Sequence, residues 1–563
     1  MTYKPLPIGV DDFKDLITKD YYYVDKTWMI KELLDRKEKV NLFTRPSLFG
    51  KTLNLSMLRY FFEIPEDGKT NRTLFEDLRI LDAGERYTSE QEQYPVINLT
   101  LKSGKQGSFE LAYGCLKEAI AYEYSRHQYL LDTFKTKEER DKFYALMTRQ
   151  APVQDYLTSL LFLSKCLKEY HGKQVIILID EYDIPLENAY YTGFYDEMMD
   201  FIRSLFESAL KTNPYLEFSI ITGCLRISKE SIFTGLNNLE MISILNEHYG
   251  EHFGFVEREV QEMLRFYGRE ESMGVVKKWY DGYRFGNAEV YNPWSVINYV
   301  KALYTNPQAF PGAHWSNTSS NRIVKDLIQR ADFSVKGEIE TLIAGETIEK
   351  QVHEEITYAD IYDSEDNLWN FLFFTGYLKA VDKRMIEENQ YVTMTIPNAE
   401  VRSIYRNTIV NWFRDEIKTR DLSVMYQALM AGDGEMFQKE LSVLLMNSIS
   451  YMDSREAFYH GFLLGVLGNM REYLVKSNQQ AGLGRYDICV RSLNVEMAPV
   501  VLELKVSPTF KGMEASCDEA IKQIHDKHYD DWLPEEGYTE VLNVGVAFFK
   551  KQCRVKVERI ALE

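Results

Sequence analysis

One short stretch constrains the fold of this chain more than any other: residues 39–62, KVNLFTRPSLFGKTLNLSMLRYFF. It predicts a buried strand, a tight loop and a helix, with Gly-Lys-Thr at 50–52 where the loop meets the helix. Such a loop binds phosphate, because N–H groups at the helix start point at the anion, the lysine reaches the outer phosphates and the hydroxyl holds Mg²⁺. The stretch therefore predicts a P-loop, although Arg45 replaces its usual first glycine.

A second apolar run, from Gln174, ends in two acids, Asp180 and Glu181. Parallel strands open their carboxyl ends on the ligand crevice, so we expect Asp180 to hold Mg²⁺ and Glu181 to orient or deprotonate the attacking water. The alternative is a core strand that ends in a solvated acidic turn. Arg226, after a further strand over 216–222, is a candidate for stabilising charge on the γ-phosphate, and its alternative is a surface arginine in a loop.

The order of elements predicts the fold class. Strands alternate with helices over residues 1–238, which indicates a parallel α/β sheet of the P-loop NTPase type. Residues 239–400 predict a mainly helical middle domain, either a lid or winged-helix-like, and residues 401–450 predict connecting helices. Residues 451–563 predict a C-terminal α/β domain.

Composition narrows the functional classes. The 563 residues carry a net charge of −19, which excludes coating of nucleic acid by charge alone, so any such contact must be local. The six cysteines are widely spaced without a C-x-x-C pair, which predicts reduced thiols and no zinc site. No apolar run is long enough to span a membrane, and we expect a cytoplasmic protein without membrane contact.

The C-terminal region carries a second set of chemical residues. Asp487 begins one predicted strand, and Glu503 and Lys505 lie two apart on the next, so a hairpin would bring the three together on one face. Two carboxylates and a backbone carbonyl suit Mg²⁺, and the lysine can lower the pKa of a bound water or stabilise the phosphate. This pattern predicts phosphodiester hydrolysis.

Neighbouring residues extend this predicted site. Gln523, on a following helix, can reach back towards it, while Lys522 or Lys527 can meet a phosphate. Glu456, on a preceding helix, is a candidate to complete the metal coordination. His460 on that helix is favoured as a packing residue over a metal ligand.

Taken together, the segments below resemble the bacterial predicted AAA-ATPase-like family and the PD-(D/E)XK nuclease-superfamily domain that is usually fused to it. The segments are Arg45-Pro46, Phe49-Gly50-Lys51-Thr52, Asp180-Glu181-Tyr182-Asp183, Lys229 to Asn238, Trp279 to Tyr283, Tyr291 to Trp294, Gly484-Arg485-Tyr486-Asp487 and Glu503-Leu504-Lys505. The resemblance implies a P-loop ATPase core, a helical middle and a restriction-endonuclease-like C-terminal domain. It implies nucleotide contacts at Arg45, Pro46, Phe49, Gly50, Lys51, Thr52, Asp180 and Arg226, with Mg²⁺ at Thr52 and Asp180.

The same resemblance implies a nuclease site in which Asp487, Glu503 and Glu456 bind Mg²⁺ while Lys505 and Gln523 assist the reaction. The family's P-loop usually carries two arginines where this chain has Ser47-Leu48, which weakens the case for tight nucleotide binding or hydrolysis. A second departure is Gln479-Gln480-Ala481, where a more charged run is expected.

Two functions remain open at this point. The first is a module that binds and hydrolyses ATP and controls a Mg²⁺-dependent nuclease in defence or genome conflict. DNA is favoured over RNA as its substrate, and a homo-oligomer is an attractive arrangement. The second is a nucleotide-dependent switch that binds nucleic acid or a protein partner through its C-terminal domain without cutting.

Overall fold

The chain divides into two compact units in the computed structural model. The first comprises Met1–Leu327 with Thr347–Ile404, and the second Ile328–Glu346 with Tyr405–Glu563. The structure describes residues 4–65, 68–225, 232–233, 237–317, 333–354, 364–406, 421–448, 456–470, 473–492 and 494–562. The boundaries predicted at residues 238, 400 and 450 stay predictions.

The first unit contains strands and helices in alternation. Its strands are β1 (Val40–Thr44), β2 (Val96–Thr100), β3 (Val175–Asp180), β4 (Leu216–Gly223), β5 (Leu239–Ile242), β6 (Tyr283–Phe285), β7 (Ala288–Val290), β8 (Ile348–Gln351), β9 (Lys379–Ile386) and β10 (Asn389–Thr395). Its helices are α1 (Phe13–Thr18), α2 (Trp28–Arg36), α3 (Lys51–Phe62), α4 (Glu85–Thr88), α5 (Phe109–Arg126), α6 (Lys137–Met147), α7 (Val153–Leu157), α8 (Ser159–His171), α9 (Ile184–Thr192), α10 (Tyr195–Phe206), α11 (Glu257–Phe266), α12 (Met273–Tyr280), α13 (Pro293–Thr305) and α15 (Glu365–Phe374).

The second unit is smaller. Its helices are α14 (Phe333–Ala344), α16 (Ser423–Ala431), α17 (Gly434–Ser448), α18 (Glu456–Leu467) and α19 (Met513–Asp526). Its strands are β11 (Tyr473–Ser477), β12 (Gln480–Ala481), β13 (Gly484–Arg485), β14 (Ile488–Ser492), β15 (Val500–Val506), β16 (Glu540–Phe549) and β17 (Gln552–Ala561).

A parallel five-stranded sheet forms the centre of the first unit, in the order β2-β3-β4-β1-β5. Every residue of β1 and β3 is buried, as expected of apolar strands covered on both faces. Because the strands are parallel, their carboxyl ends at Thr44, Asp180 and Gly223 reach one edge of the sheet. The parallel α/β sheet predicted from the sequence is confirmed.

The region that follows β5 is mainly helical, as predicted. Helices α11, α12 and α13 share an apolar core that includes Val260, Tyr280 and Val300. A three-stranded antiparallel sheet, β8-β10-β9, accompanies the buried helix α15. In the described part of the chain, no helix combines the length and apolar character needed to cross a membrane.

The second unit is built on the mixed sheet β11-β14-β15-β16-β17, in which β15 and β16 are parallel and the other pairs antiparallel. Alternate residues of β15 face opposite sides. Val500, Leu502 and Leu504 pack with α16, α17 and α18, while Val501 packs with α19. Helix α19 connects the two parallel strands, so it covers the face on which Glu503 lies.

Gly545 on β16 allows α19 to lie close to the sheet. A Cβ atom at Gly545 would stand 2.6 Å from the Cys517 carbonyl oxygen and 3.2 Å from the Ala520 Cβ. We therefore expect Gly545→Ala to lower the free energy of unfolding by about 1 to 3 kcal/mol through overpacking, measured by urea denaturation.

Gly461→Ala is the matched control, because Gly461 lies on α18 with nothing within 4 Å of its added Cβ. Alanine there should be neutral or stabilise by up to about 1 kcal/mol through helix propensity. Equal midpoints for Gly545→Ala and the wild type would contradict the close packing of α19.

Candidate functional site

The P-loop runs from the end of β1 to the start of α3. Gly50 has a φ of +85° at the N-terminal end of the helix, a conformation that glycine adopts without strain. Leu48 also has positive φ, at +69°, which is unusual for a residue with a side chain and common at ligand-binding turns. The loop is tied to β4, since the Arg45 amide donates to the Gly223 carbonyl at 3.1 Å.

The Lys51 ammonium group lies inside the loop and is 6% exposed. It donates to the carbonyl oxygens of Arg45 at 2.9 Å and Pro46 at 3.0 Å, and it lies 3.4 Å from the Cys224 thiol. Burial lowers the pKa of Lys51, but its interactions with Cys224 and with the acids Asp183, Glu181 and Asp180 outweigh burial and raise that pKa overall. The lysine is therefore held in its charged form.

The Asp180 carboxylate joins the ends of three segments. One oxygen accepts a hydrogen bond of 2.7 Å from the Thr52 hydroxyl at the start of α3. The other accepts from the Thr222 hydroxyl near the end of β4, which lies between β3 and β1 in the sheet. The hydroxyl and carboxylate predicted to share Mg²⁺ are thus in direct contact.

Glu181 follows Asp180 with a φ of +53°, which turns its side chain away from the strand path. Among the described residues, its buried Oε2 has no hydrogen-bond partner. Burial, assisted by the charge of Asp180, raises the pKa of Glu181. The raised pKa makes the Glu181 carboxylate a stronger base than a carboxylate in water.

Asp183 links the end of β3 to the segment after β4. Its carboxylate accepts from the backbone amides of Cys224 at 2.7 Å and Leu225 at 3.0 Å. Burial raises the pKa of Asp183, and the two amides oppose that shift. The next predicted residue, Arg226, lies outside the described residues.

A cavity of about 430 Å³ adjoins the loop. The loop residues Leu48 to Asn54 line it together with Lys102 and Glu181. The remaining walls are mainly apolar and aromatic, and they include Tyr22, Val24, Phe255, Met263, Trp294 and Ile297. The volume and the mixture of a charged loop with apolar walls suit a ligand that has both phosphates and a flat ring.

The structure places two predicted nucleotide contacts away from this cavity. The Arg45 guanidinium is fully buried between the rings of Phe253 and Phe285 and donates to the carbonyl oxygens of Thr44 and Ile242. Burial lowers the pKa of Arg45 to about 9. Neither Arg45 nor Pro46 lines the cavity, whereas Phe49 does. Arg45 instead supports the loop through its hydrogen bonds to the carbonyl oxygens of Thr44 and Ile242.

The second site lies on β14 and β15. Their register pairs Ile488 with Leu502, so Asp487 and Glu503 occupy the next opposed positions. The Asp487 carboxylate accepts from the Leu504 amide at 2.8 Å, and the Glu503 side chain is only 2% exposed. The Asp487 carboxylate therefore lies against the backbone of β15, at the residue that follows Glu503.

Lys505 and Gln523 complete a compact cluster with Glu503. The Lys505 ammonium donates to Glu503 at 3.2 Å and to the Gln523 side-chain oxygen at 2.7 Å. The Gln523 amide in turn donates to the same Glu503 oxygen, and it lies 3.4 Å from the Tyr529 hydroxyl. Sequence reasoning anticipated the reach of Gln523 but missed Tyr529, whose position just beyond α19 carries no chemical signal.

The remaining predicted residues of this site divide into two groups. His460 donates through Nε2 to the Asp487 carbonyl oxygen at 3.0 Å, so it supports the strand, in keeping with the packing role favoured for it. Glu456 begins α18, but its side chain lies outside the described residues. Within the described ranges, no three His, Cys, Asp or Glu side chains cluster as a metal site.

Comparisons with known proteins cover both sites. Residues 7–233 match the family model described as predicted AAA-ATPase, and residues 454–558 match that of the PD-(D/E)XK nuclease superfamily, which confirms the resemblance. An uncharacterized protein in the vnfD 5' region of Azotobacter chroococcum mcd 1 is 25% identical over 546 residues, 94% of each chain. The Aeropyrum pernix ORC2 protein (ADPNP-ADP complexes) aligns over 72% of this chain and 96% of that chain at 8% identity, with a TM-score of 0.25, too low to carry an argument.

Glu187 on α9 lies close enough to Asp183 and Glu181 to feel their charge, and its titration can be tested through the dependence of stability on pH. Burial, assisted by the charge of Asp183, raises the pKa of Glu187 from 4.5 to about 7. The folded state therefore holds an extra proton between these values, so the contribution of Glu187 to stability is fully present below pH 4.5 and is lost as pH rises through about 7. Glu187→Gln should remove that loss and be more stable than wild type at pH 8 by about 1 to 3 kcal/mol.

The urea unfolding midpoints of wild type and Glu187→Gln are measured between pH 5 and 8. The difference between the two midpoints is then plotted against pH. Glu197→Gln, at an exposed position on α10, is the control and should leave the pH profile unchanged. A Glu187→Gln difference that stays flat across this range would contradict the raised pKa.

Proposed function

Because this chain joins a predicted AAA-ATPase domain to a PD-(D/E)XK nuclease superfamily domain, we propose that it binds and hydrolyses ATP to control a Mg²⁺-dependent nuclease. The nuclease would act on DNA in the cytoplasm, in defence or genome conflict. The observation that carries the proposal is the Glu503, Lys505 and Gln523 cluster opposite Asp487, which is the chemical core that phosphodiester hydrolysis requires.

The nucleotide half of the proposal rests on the cavity beside the P-loop. Lys51 and Thr52 line it on one wall, and aromatic side chains such as Tyr22 and Trp294 line it elsewhere. The triphosphate would lie against the loop amides and Lys51, and the base against the apolar wall. ATP is the ligand that this combination of charge and ring surface accommodates.

Hydrolysis of that nucleotide would use the carboxyl end of β3. Thr52 and Asp180 are in contact and would hold Mg²⁺ between them, as a hydroxyl and a carboxylate commonly do beside a P-loop. Glu181 lines the same cavity, and its raised pKa suits it to accept the proton of the attacking water. Gly50 supplies the turn that lets the loop amides face the phosphates.

The donors at the second site fit a hard divalent cation. Asp487 and Glu503 offer carboxylate oxygens from neighbouring strands, and the strand backbone offers carbonyl oxygens, which Mg²⁺ supplements with water. When bound, Mg²⁺ polarises the scissile phosphate and lowers the pKa of the attacking water.

The side chains of this site would act on the phosphate directly. Lys505 is oriented by Glu503 and Gln523, so its ammonium group is held in place to stabilise the charge that develops on the phosphate oxygens. Gln523 fixes the positions of both neighbours through one amide group. Glu456 would add a further carboxylate from the start of α18.

Loss of either charged partner should stop cleavage. Glu503→Gln and Lys505→Ala should each reduce Mg²⁺-dependent cleavage of a plasmid or a labelled duplex by about 100-fold or more, because each removes a charge that acts in the transition state. Lys439→Ala, at an exposed position on α17, is the control and should cleave at the wild-type rate. Cleavage that persists in both site variants, with folding confirmed by circular dichroism, would remove the nuclease assignment.

Lys51 tests the nucleotide site and its control of the nuclease. Lys51→Ala should weaken ATP binding by about tenfold or more in calorimetry, because it removes the charged donor to the outer phosphates. Lys137→Ala, exposed at the start of α6, should bind as wild type does.

Lys51→Ala also tests whether bound ATP controls the nuclease. Wild-type cleavage should respond to added ATP, whereas cleavage by Lys51→Ala should not. Equal ATP affinity in the two proteins would refute the P-loop role, and a wild-type nuclease rate that ignores ATP would refute the control relationship while leaving both sites in place.

A further inference from the structure

A small hairpin stands immediately before the nuclease strand β14. It pairs Gln480 with Arg485 and Ala481 with Gly484, which leaves Gly482 and Leu483 as the two residues of its turn. The Leu483 side chain is 72% exposed. The hairpin therefore holds an apolar side chain in water at its tip, immediately before the strand that follows Asp487.

The hairpin backbone is fixed although its tip side chain is exposed. The Leu483 amide donates to the Lys527 carbonyl at 2.8 Å, and Asn478 closes the base by donating to the Asp487 carbonyl at 3.1 Å. Gly482 has a φ of +49°, and an added Cβ would lie 2.2 Å from the His528 carbonyl oxygen, so the turn is docked against the end of α19. Leu483 is thereby presented on a rigid support.

The hairpin is also joined to the nuclease cluster. Gly484 lies against the Tyr529 ring, since an added Cβ would stand 3.0 Å from the Tyr529 hydroxyl. That hydroxyl lies 3.4 Å from the Gln523 amide, which bonds to Glu503. Leu483 precedes Asp487 by four positions, so their Cα atoms lie within about 14 Å of each other.

The surface around the tip combines amides, Arg485 and the exposed Lys527 and His528 against which the turn is docked, and His528 lies 3.2 Å from Asp531. Asn478, Gln479 and Gln480 are exposed, and Arg485 is the single charged residue between Asn478 and Tyr486. Amide and arginine side chains beside an exposed apolar residue are the combination with which proteins read the minor groove while a wedge enters a base step. The protein carries a net charge of −19, so a contact with DNA must depend on such a local arrangement.

We propose that the hairpin of residues 478–487, referred to below as the wedge hairpin, enters the minor groove of duplex DNA and inserts Leu483 between base pairs next to the scissile phosphate. This inference rests on the proposed nuclease function. It assigns a task to Gln479 and Gln480, which stand where a charged run was expected. The wedge hairpin would bend the duplex at the cleavage position and so favour sequences whose base steps unstack at low cost.

The experiment uses the full chain and a 30-base-pair duplex that carries a fluorescent 2-aminopurine at successive positions. Binding is measured in the Glu503→Gln background so that the duplex stays intact, and wild-type cleavage is measured in parallel with Mg²⁺. The parent should raise the 2-aminopurine fluorescence at one step, whereas adding Leu483→Ala should abolish that rise and weaken duplex affinity roughly tenfold.

Two variants serve as controls. Val495→Ala removes a similarly exposed apolar side chain, 46% exposed, in the connection at the opposite end of β14 and β15, and it should bind and unstack as the parent does. Leu483→Met keeps an apolar side chain at the tip and should preserve most of the fluorescence rise. Melting curves check that all variants fold alike.

The possible outcomes are distinct. A loss confined to Leu483→Ala supports the wedge. Unchanged affinity and unstacking in Leu483→Ala, with wild-type cleavage present, overturns the wedge and leaves the nuclease standing. A change in molar mass by light scattering, with duplex affinity retained, also overturns it and assigns the tip to a protein contact. If the wild type neither binds nor cuts DNA, the proposed function falls and the wedge falls with it.

Discussion

Both candidate sites depend on the same constraint, which is the cost of burying a carboxylate on an apolar strand. Strand β3 delivers Asp180 in this way, and β15 carries Glu503. A buried charge is tolerated only when neighbouring groups donate hydrogen bonds to it. The hydroxyls of Thr52 and Thr222 donate hydrogen bonds to Asp180. Lys505 and Gln523 donate hydrogen bonds to Glu503. The groups that stabilise each acid are the same groups to which the proposed chemistry assigns a role.

The sequence predicted the elements that carry these acids because their signals are local. An apolar run of strand length before Asp180 predicts a buried strand. The two-residue spacing of Glu503 and Lys505 predicts that both side chains lie on one face of a strand. Neither prediction needs information from the rest of the chain. The reach of Gln523 also followed, since a helix after a strand packs back over it.

What the sequence did not reveal depends on contacts between distant segments. The order of the sheet, with β4 between β1 and β3, is set by long connections, and it makes Thr222 a partner of Asp180. Arg45 carries a charge that suggests phosphate, yet Phe253 and Phe285 enclose it. Neither ring is near it in sequence, so no motif distinguishes a supporting arginine from a binding one. Tyr529 was missed for the same reason.

The connection from β3 to the residues after β4 links the cavity to backbone outside it. Glu181 lines the cavity, and Asp183, two residues later, holds the amides of Cys224 and Leu225. Cys224 in turn lies against both Lys51 and Ser47 of the P-loop. A shift of Lys51 towards a phosphate would therefore remove a contact from Cys224, while Asp183 keeps that backbone attached to β3. The backbone at Cys224 is thus held to β3 independently of the contact between its thiol and Lys51.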